Sequence, residues 1–244
     1  MQSRIEKRVQ DYWTARTKDF SLIRKNELHG EISGRWTKEI GSFLPHDKVL
    51  DILDAGTGTG YFAVLLAMEG HRLTGIDITP SMLADARATA AQFGVQADFL
   101  QMDVHSASFQ DESFDAVVSR NLVWTLPDPE GVYREWYRLL RPGGILLVFD
   151  ADYAQNVRNH NQKASLISPS GVYGHIGVTP ELARENAEIT LSMPASRHRR
   201  PEWDLLLLEK AGFSDFGVDE SVGVRILREN DLADAPLFLL WAKR

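Results

Sequence analysis

Three glycines spaced two apart, Gly56, Gly58 and Gly60, follow Asp54 and lead into the apolar stretch Tyr61-Phe62-Ala63-Val64. Val49 to Leu53, apolar except for Asp51, reads as a short buried parallel strand ending at Asp54. A glycine loop between strand and helix opens a binding edge outside the carboxyl ends of an α/β sheet. Glycine lets the chain turn tightly there and lets a ligand come close. A dinucleotide-binding loop places its third glycine three residues after the second. Here it comes after two, and Tyr61 stands where that pattern needs glycine. A phosphate-cradling loop would need Gly-Lys-Ser/Thr, and no lysine stands in this one. Asp54 at such an edge repels an anion and suits a cation or an ammonium group.

Elements able to position this loop follow one another along the chain. The first 45 or so residues have helical periodicity. Ile5, Val9, Tyr12 and Trp13 share one face, and Ile32, Trp36, Ile40 and Phe43/Leu44 another, before Pro45. Thr59 to Glu69 reads as a helix closed by Gly70, and Arg72 to Ile76 as a strand closing at Asp77. Thr79-Pro80 opens an alanine-rich helix that runs to Gly94. Ala97 to Gln101 and Phe114 to Ser119 read as strands three and four, the third closing at Asp103. Asp128-Pro129 opens a helix burying Val132, Trp136 and Leu139/Leu140. Arg141-Pro142-Gly143-Gly144 stops it and turns into a fifth strand, Ile145 to Phe149. This alternation predicts an α/β fold with a doubly wound parallel sheet.

Residues 151–200 are rich in Asn, Ser and His and too long for a bare loop, so they predict an insertion with helices of its own. Pro201 to Ala211 reads as a helix closed by Gly212, and Phe213 to Val218 and Leu237 to Trp241 as two last strands.

At 244 residues and 43% apolar, the chain suffices for one α/β domain with a cap. With 27 basic against 34 acidic residues, a net charge of −7, it lacks the basic footprint of a general nucleic-acid binder. Having no cysteine, it has no disulfide, thiolate nucleophile or cysteine-bound metal. No stretch reaches the ~20 apolar residues that span a bilayer. Met-Gln-Ser-Arg-Ile-Glu-Lys-Arg lacks the apolar core of a signal peptide. The expectation is a cytoplasmic protein with no membrane partner; nothing in the sequence sets an oligomeric state.

The run from Asp54 through Gly60, acidic-x-G-x-G-x-G, resembles motif I of the class I S-adenosylmethionine-dependent methyltransferases, whose ligand carries a sulfonium and an ammonium and no phosphate. The resemblance covers residues 45–150 well and 200–244 more loosely. It implies a seven-stranded Rossmann-like sheet of order 3-2-1-4-5-7-6, with strand seven antiparallel, N-terminal helices and a helical cap. The single domain divides into a helical lid (1–45), a cofactor-binding core (46–150), a substrate cap (151–200) and a C-terminal helix and hairpin (201–244). S-adenosylmethionine is the implied cofactor, with S-adenosylhomocysteine as product. Its site would include Asp54, Ala55, Gly56, Thr57 and Gly58 of the loop. Asp77 would bind both ribose hydroxyls, Ile78 and Met82 would wall the adenine, Asp103 would face its amino group, and the Val104 amide its ring. Phe114 to Trp124 resembles motif IV, placing Asn121 by the methionine part, with Trp124 and Leu126 as walls for the reacting methyl group. Tyr12, or Arg35 beside Trp36, could hold the methionine carboxylate. No Asn/Asp-Pro-Pro-Tyr of nucleic-acid amino-methyltransferases follows strand four; Arg120-Asn121-Leu122-Val123 stands there.

The expected activity is methyl transfer to an O, N or S atom of a small-molecule acceptor. Alternatives are a NAD-dependent oxidoreductase, which the glycine spacing, Asp54 and Asp103 disfavour, and a non-catalytic S-adenosylmethionine-binding protein. Transfer needs a base only where the acceptor must lose a proton. Candidates follow strand five: Asp150, Asp152, Tyr153, His160, Tyr173, His175 and His198, with His160 and His175 foremost. Arg197-His198-Arg199-Arg200 is a solvated loop or a lure for an anionic substrate. No His/Asp/Glu spacing suggests a metal.

Overall fold

Short apolar runs separated by helices assemble into a seven-stranded sheet. The computed structural model describes residues 4–162, 177–228 and 235–244. β1 (Asp51–Ala55) is central, with β2 (Arg72–Asp77) and β3 (Asp98–Gln101) on one side and β4 (Phe114–Arg120) and β5 (Leu140–Asp150) on the other. β7 (Phe238–Lys243) and then β6 (Asp215–Asp219) complete the order β3-β2-β1-β4-β5-β7-β6. β7 runs antiparallel to both its neighbours, and all other pairs are parallel. This is the doubly wound sheet the alternation predicts, in the order the resemblance implies.

Alternation along the central strands sorts side chains into two cores. Ile52, Ala116, Val118, Leu147 and Phe149 share one with Trp36, Ile40 and Phe62. Leu53, Val117, Leu146 and Val148 share the other with Val132, Trp136 and Leu208. Helices α2 (Glu31–Gly41), α3 (Tyr61–Met68), α4 (Pro80–Gln92) and α9 (Val222–Ile226) cover the first face; α5 (Pro129–Leu139) and α8 (Glu202–Ala211) cover the second. Trp36, 0% exposed, meets Phe62 and Phe149 edge-on at 5.0 and 4.9 Å. Such pairs add about 0.5–1.5 kcal/mol each beyond burial. α1 (Arg4–His29) packs instead along α4 and α7 (Pro180–Ser192) at the sheet's carboxyl edge, while α2 belongs to the core.

Two boundaries differ from the sequence pattern. Leu140 follows α5 directly and already pairs with Phe114, after which the register shifts to Ala116 with Ile145. Arg141 to Gly144 are thus a bulged entry to β5 and not a separate turn. The five-residue α9 between β6 and β7 was not expected; its Val222 and Ile226, fully buried, fill the first core. Residues 151–200 do carry helices: α6 (Tyr153–Gln162), α7 and a 3-10 turn at Pro194–Arg197. Among the described residues no helix is long and apolar enough to cross a membrane.

Candidate active site

Past β1 the chain turns through Gly56 (φ +70°), Gly58 (+54°) and Gly60 (+83°) into α3. Gly56 suits the turn: its φ is one L residues rarely adopt, and a Cβ there would also press, at 2.8 Å, on the end of the Leu122 side chain. Asp54 braces the turn. Its Oδ2 accepts from Thr57 Oγ1 at 2.6 Å and from Ala63 N at 3.0 Å. Burial pushes its pKa up to about 7, against those two hydrogen bonds and the charge of Arg120; Asp77 adds to the rise. The carboxylate read as a partner for a cation is therefore first used by the loop itself. Loop amides are also engaged: Thr57 N donates to Ile76 O, Gly60 N to Thr57 O and Gly58 N to Asp77 Oδ2. Asp77 Oδ1 accepts from Thr79 N at 2.8 Å. Burial raises the Asp77 carboxyl, against the amides of Thr79 and Gly58.

A cleft of about 370 Å³ lies along this edge. Tyr12, Asp54, Gly56, Thr57, Gly58 and Asp77 line it, as do Ile78, Met82, Asp103, Val104 and Asn121. Ala55 does not. It is 0% exposed in the second core, with its carbonyl accepting from Ser119 Oγ, because alternate residues of a strand face opposite sides. One face of α1 roofs the cleft with Glu6, Val9, Tyr12, Arg16, Phe20 and Arg24. The roof is tied down by Gln10 Nε2 to Ile78 O (2.5 Å), by Thr17 Oγ1 to Ser81 Oγ (2.8 Å), and by Arg8 to Glu185 and Glu188 of α7 (2.8 Å).

The two ends differ in charge. At one, Asp103 Oδ1 accepts from His105 N and lies 2.7 Å from His105 Nδ1. The histidine holds Asp103 below its usual range; burial disfavours charged His105, but Asp103 outweighs it and lifts its pKa. Glu6, Asp103 and His105 have possible metal-ligand atoms within 4.8 Å of one another, a grouping that sequence spacing does not reveal because Glu6 is far away in the chain. At the other end Glu27 receives Arg24 Nη1 at 2.6 Å and Arg120 Nη1 at 3.1 Å. Arg120 stacks over Trp36 and Tyr61 at 4.4 and 5.0 Å. Burial and the charge of Arg24 depress its pKa, and Glu27 opposes them.

Asn121 sits between, at φ +56°, a conformation asparagine tolerates. Its N–H donates to Phe149 O, its Oδ1 accepts from Tyr153 Oη at 3.0 Å, and its carbonyl accepts from Trp124 Nε1. Trp124, Leu126 and Tyr153 line the same wall. Burial raises the Tyr153 phenol above its ordinary value, so at neutral pH it is a hydrogen-bond donor and not a base.

Other candidates lie elsewhere. Asp150 is 0% exposed; its Oδ2 accepts from Arg200 Nη1 and Trp124 N. Arg200 also pairs bidentately with Asp204 at 2.8 Å, so this member of the basic run 197–200 is buried and neither lures anions nor belongs to a solvated loop. Arg199 pairs with Glu202, and His198 stacks on Trp203 at 4.4 Å. Asp152 caps α6 through Gln155 N. Arg35 is not on the cleft wall. His160 falls in α6, of which only the helix is described there; Tyr173 and His175 lie outside the described residues. Sequence reasoning missed Arg16, Phe20, Arg24, Tyr61, His105 and Arg120. The first three fall with Tyr12 on an i, i+4 stripe, 12-16-20-24, which is the signal that could have found them.

Residues 53–148 match the model of the methyltransferase domain family. A phosphatidylethanolamine N-methyltransferase of Cereibacter sphaeroides is 39% identical over 101 residues, 40% of this chain and 48% of that protein. A ubiquinone biosynthesis O-methyltransferase of Pseudomonas putida is 32% identical over 121 residues, 49% of each. The chain thus spans about half the length of these curated relatives. The solved phosphoethanolamine N-methyltransferase 2 of Haemonchus contortus, in complex with S-adenosyl-L-methionine, aligns at TM-score 0.59 and 20% identity. It covers 86% of this chain and 52% of that one, a likeness of fold. Sheet order and glycine loop define a Rossmann-like methyltransferase domain. Over residues 53–148 the chain is thus similar to methyltransferase domains, in agreement with its resemblance to the class I S-adenosylmethionine-dependent family.

Proposed function

We propose that this chain is a S-adenosylmethionine-dependent methyltransferase acting on an O, N or S atom of a small-molecule acceptor. The observation that carries the reading is the arrangement of Asp54, the glycine loop and Asp77. The amides of Thr57, Gly58 and Gly60 are already bonded within the protein, and two carboxylates stand beside them. A pyrophosphate would need those amides, which are already taken within the protein, and this counts against the oxidoreductase reading. A nucleoside without phosphate suits the same atoms. Asp77 is an acceptor for a ribose diol, Asp103 for an exocyclic amine, and the Val104 amide a donor to a ring nitrogen. Arg24 and Arg120, sharing Glu27, form a cationic end suited to the methionine carboxylate.

Bound S-adenosylmethionine supplies a methyl group on a sulfonium, with a neutral thioether as leaving group. The chain's part is then positioning and exclusion of water, since α1 roofs the cleft while Asn121, Trp124 and Tyr153 fix one wall. Relatives that methylate nitrogen and oxygen both match, so the acceptor atom stays open. The test is transfer of labelled methyl from S-adenosylmethionine into a pool of metabolites below ~1 kDa, compared with an Asp77→Ala control. Label in one small product, absent with the variant, supports the reading. Tight cofactor binding without any labelled product would instead favour a non-catalytic binding protein.

A further inference from the structure

The cap presents an uncharged face to the cleft. α7 carries Glu181, Arg184, Glu185 and Glu188, and none of them lines it. Glu185 and Glu188 hold Arg8, and Glu181 receives Arg184 Nη2 at 3.2 Å. The cleft side of the helix is instead Ala183, Asn186, Ala187 and Thr190, residues three and four apart on one face. On α6, Arg158 gives Nη1 to Ser196 O at 2.8 Å, while Tyr153 and Val157 line the cleft. Among the described residues no charged side chain of α6, α7 or the segment 122–127 lines it. The charges of the roof are engaged within the protein. Glu6 lies with Asp103 and His105, and Arg24 pairs with Glu27. Arg16 is hydrogen-bonded to the Tyr12 hydroxyl and lies 3.9 Å from Asp19. Burying a charged ligand against an uncharged wall costs more than burying a neutral one.

Aromatic side chains stand on the elements packed against that face. Tyr12 of α1 packs on α7 beside Ile189 and Met193. The 3-10 turn Val123–Thr125 also packs on α7, and its Trp124 lies 5.1 Å, centroid to centroid, from the Tyr153 ring. The small side chains of Ala183 and Ala187 leave room beside Asn186 for a flat ring, which packs well against aromatic walls. Asn186 Oδ1 is buried and has no hydrogen-bond partner among the described residues. Neighbouring hydroxyls do not serve it: Tyr153 Oη donates to Asn121 Oδ1, and Thr190 Oγ1 donates to Asn186 O at 2.7 Å. Buried polar atoms are rarely left so without a ligand or water. An amide oxygen only accepts, so what it calls for is an O–H or N–H.

We propose that the methyl acceptor is an uncharged aromatic ring compound, seated between Tyr12 and Trp124 with a hydroxyl or amino group donating to Asn186 Oδ1. This inference rests on the methyltransferase reading. The ammonium of the methionine moiety would also serve that oxygen, and the test separates the two sources. Wild type, Asn186→Leu and Asn186→Asp, each saturated with S-adenosylhomocysteine, are titrated with naphthols, hydroxyquinolines and anilines. Each compound is paired with its methoxy or dimethylamino analogue and with its carboxylated analogue. At least one hydroxy or amino compound should bind wild type about five-fold or more tightly than both analogues, as expected for one neutral hydrogen bond. Asn186→Leu should erase the preference over the methylated analogue, and Asn186→Asp, which keeps an acceptor oxygen, should retain it. Affinity for S-adenosylhomocysteine should stay within about two-fold throughout. Equal binding of the three forms, tightest binding of the carboxylated one, no bound ring compound, or a preference that survives Asn186→Leu overturns the proposal. So does a loss of S-adenosylhomocysteine affinity in Asn186→Leu with 5′-methylthioadenosine affinity kept, which would give Asn186 to the cofactor's own ammonium. A wild type that binds neither nucleoside would sink the methyltransferase reading itself.

Discussion

The two walls of the cleft are built by opposite means. The sheet-edge wall is local: Asp54 bonds Thr57 and Ala63, and Asp77 bonds Gly58 and Thr79, all within about twenty residues. The roof is long-range, with Arg8 reaching Glu185 across 177 residues and Gln10 reaching Ile78 across 68. A local wall is rigid and can be specific for one nucleoside. A roof whose ties at the Arg8 and Gln10 end are partly exposed ion pairs and hydrogen bonds can shift there to admit an acceptor. On the proposed function the first wall holds the cofactor's nucleoside, and the roof, apart from Arg24 at its cationic end, faces the acceptor.

The largest break in that comparison should come from Gly56→Val. Left-handed backbone and overlap with Leu122 together cost about 2–6 kcal/mol in the loop. Calorimetry should register no S-adenosylhomocysteine binding, with the fold kept by circular dichroism; normal affinity would remove the loop from the site. Asp77→Ala should cost about 1.5–3 kcal/mol of the same binding free energy. A titration curve matching wild type would reject its role.

Next comes pH. The folded protein holds the Asp54 proton up to about pH 7, well above an unfolded aspartate, so the unfolded chain releases it first. The resulting stability is present below the unfolded pKa and is lost as pH rises through about 7. Between pH 5.5 and 7, wild type should lose about 1–2 kcal/mol more than Asp54→Asn in urea melts. Parallel curves would mean that Asp54 is ionised throughout.

The smallest effect is expected at the roof. Arg8→Ala removes partly exposed ion pairs worth at most about 1 kcal/mol. Thermal stability and S-adenosylhomocysteine affinity should scarcely move, while KM for an acceptor rises a few-fold. A comparable loss on the cofactor side would show that the walls are not separable.

The same division decides what was legible in the sequence. The strands and the edge carboxylates follow from alternation and glycine spacing, which are local, and the strand order from the family resemblance that those motifs carry. Ala55 was misplaced by one step of a strand's alternation, a matter of facing and not of segment. A helical lid came only with the resemblance, and which of its residues face the cleft was not legible, because nothing near Arg16 or Arg24 says how their helix crosses the sheet edge. Arg200 misled for the same reason. Its neighbours make it look solvated, whereas Asp150, 50 residues earlier, draws it into the interior with Asp204. The bulged start of β5 escaped because Pro and Gly mark a turn without saying whether strand pairing resumes across it.

The most direct test of the central claim is calorimetric titration of the protein with S-adenosylhomocysteine and, separately, with NAD+ and NADH. The account predicts micromolar or tighter binding of the first and none of the dinucleotides. Binding of a dinucleotide without S-adenosylhomocysteine would contradict it, and would mean that the bonded amides of Thr57, Gly58 and Gly60 rearrange to take a pyrophosphate.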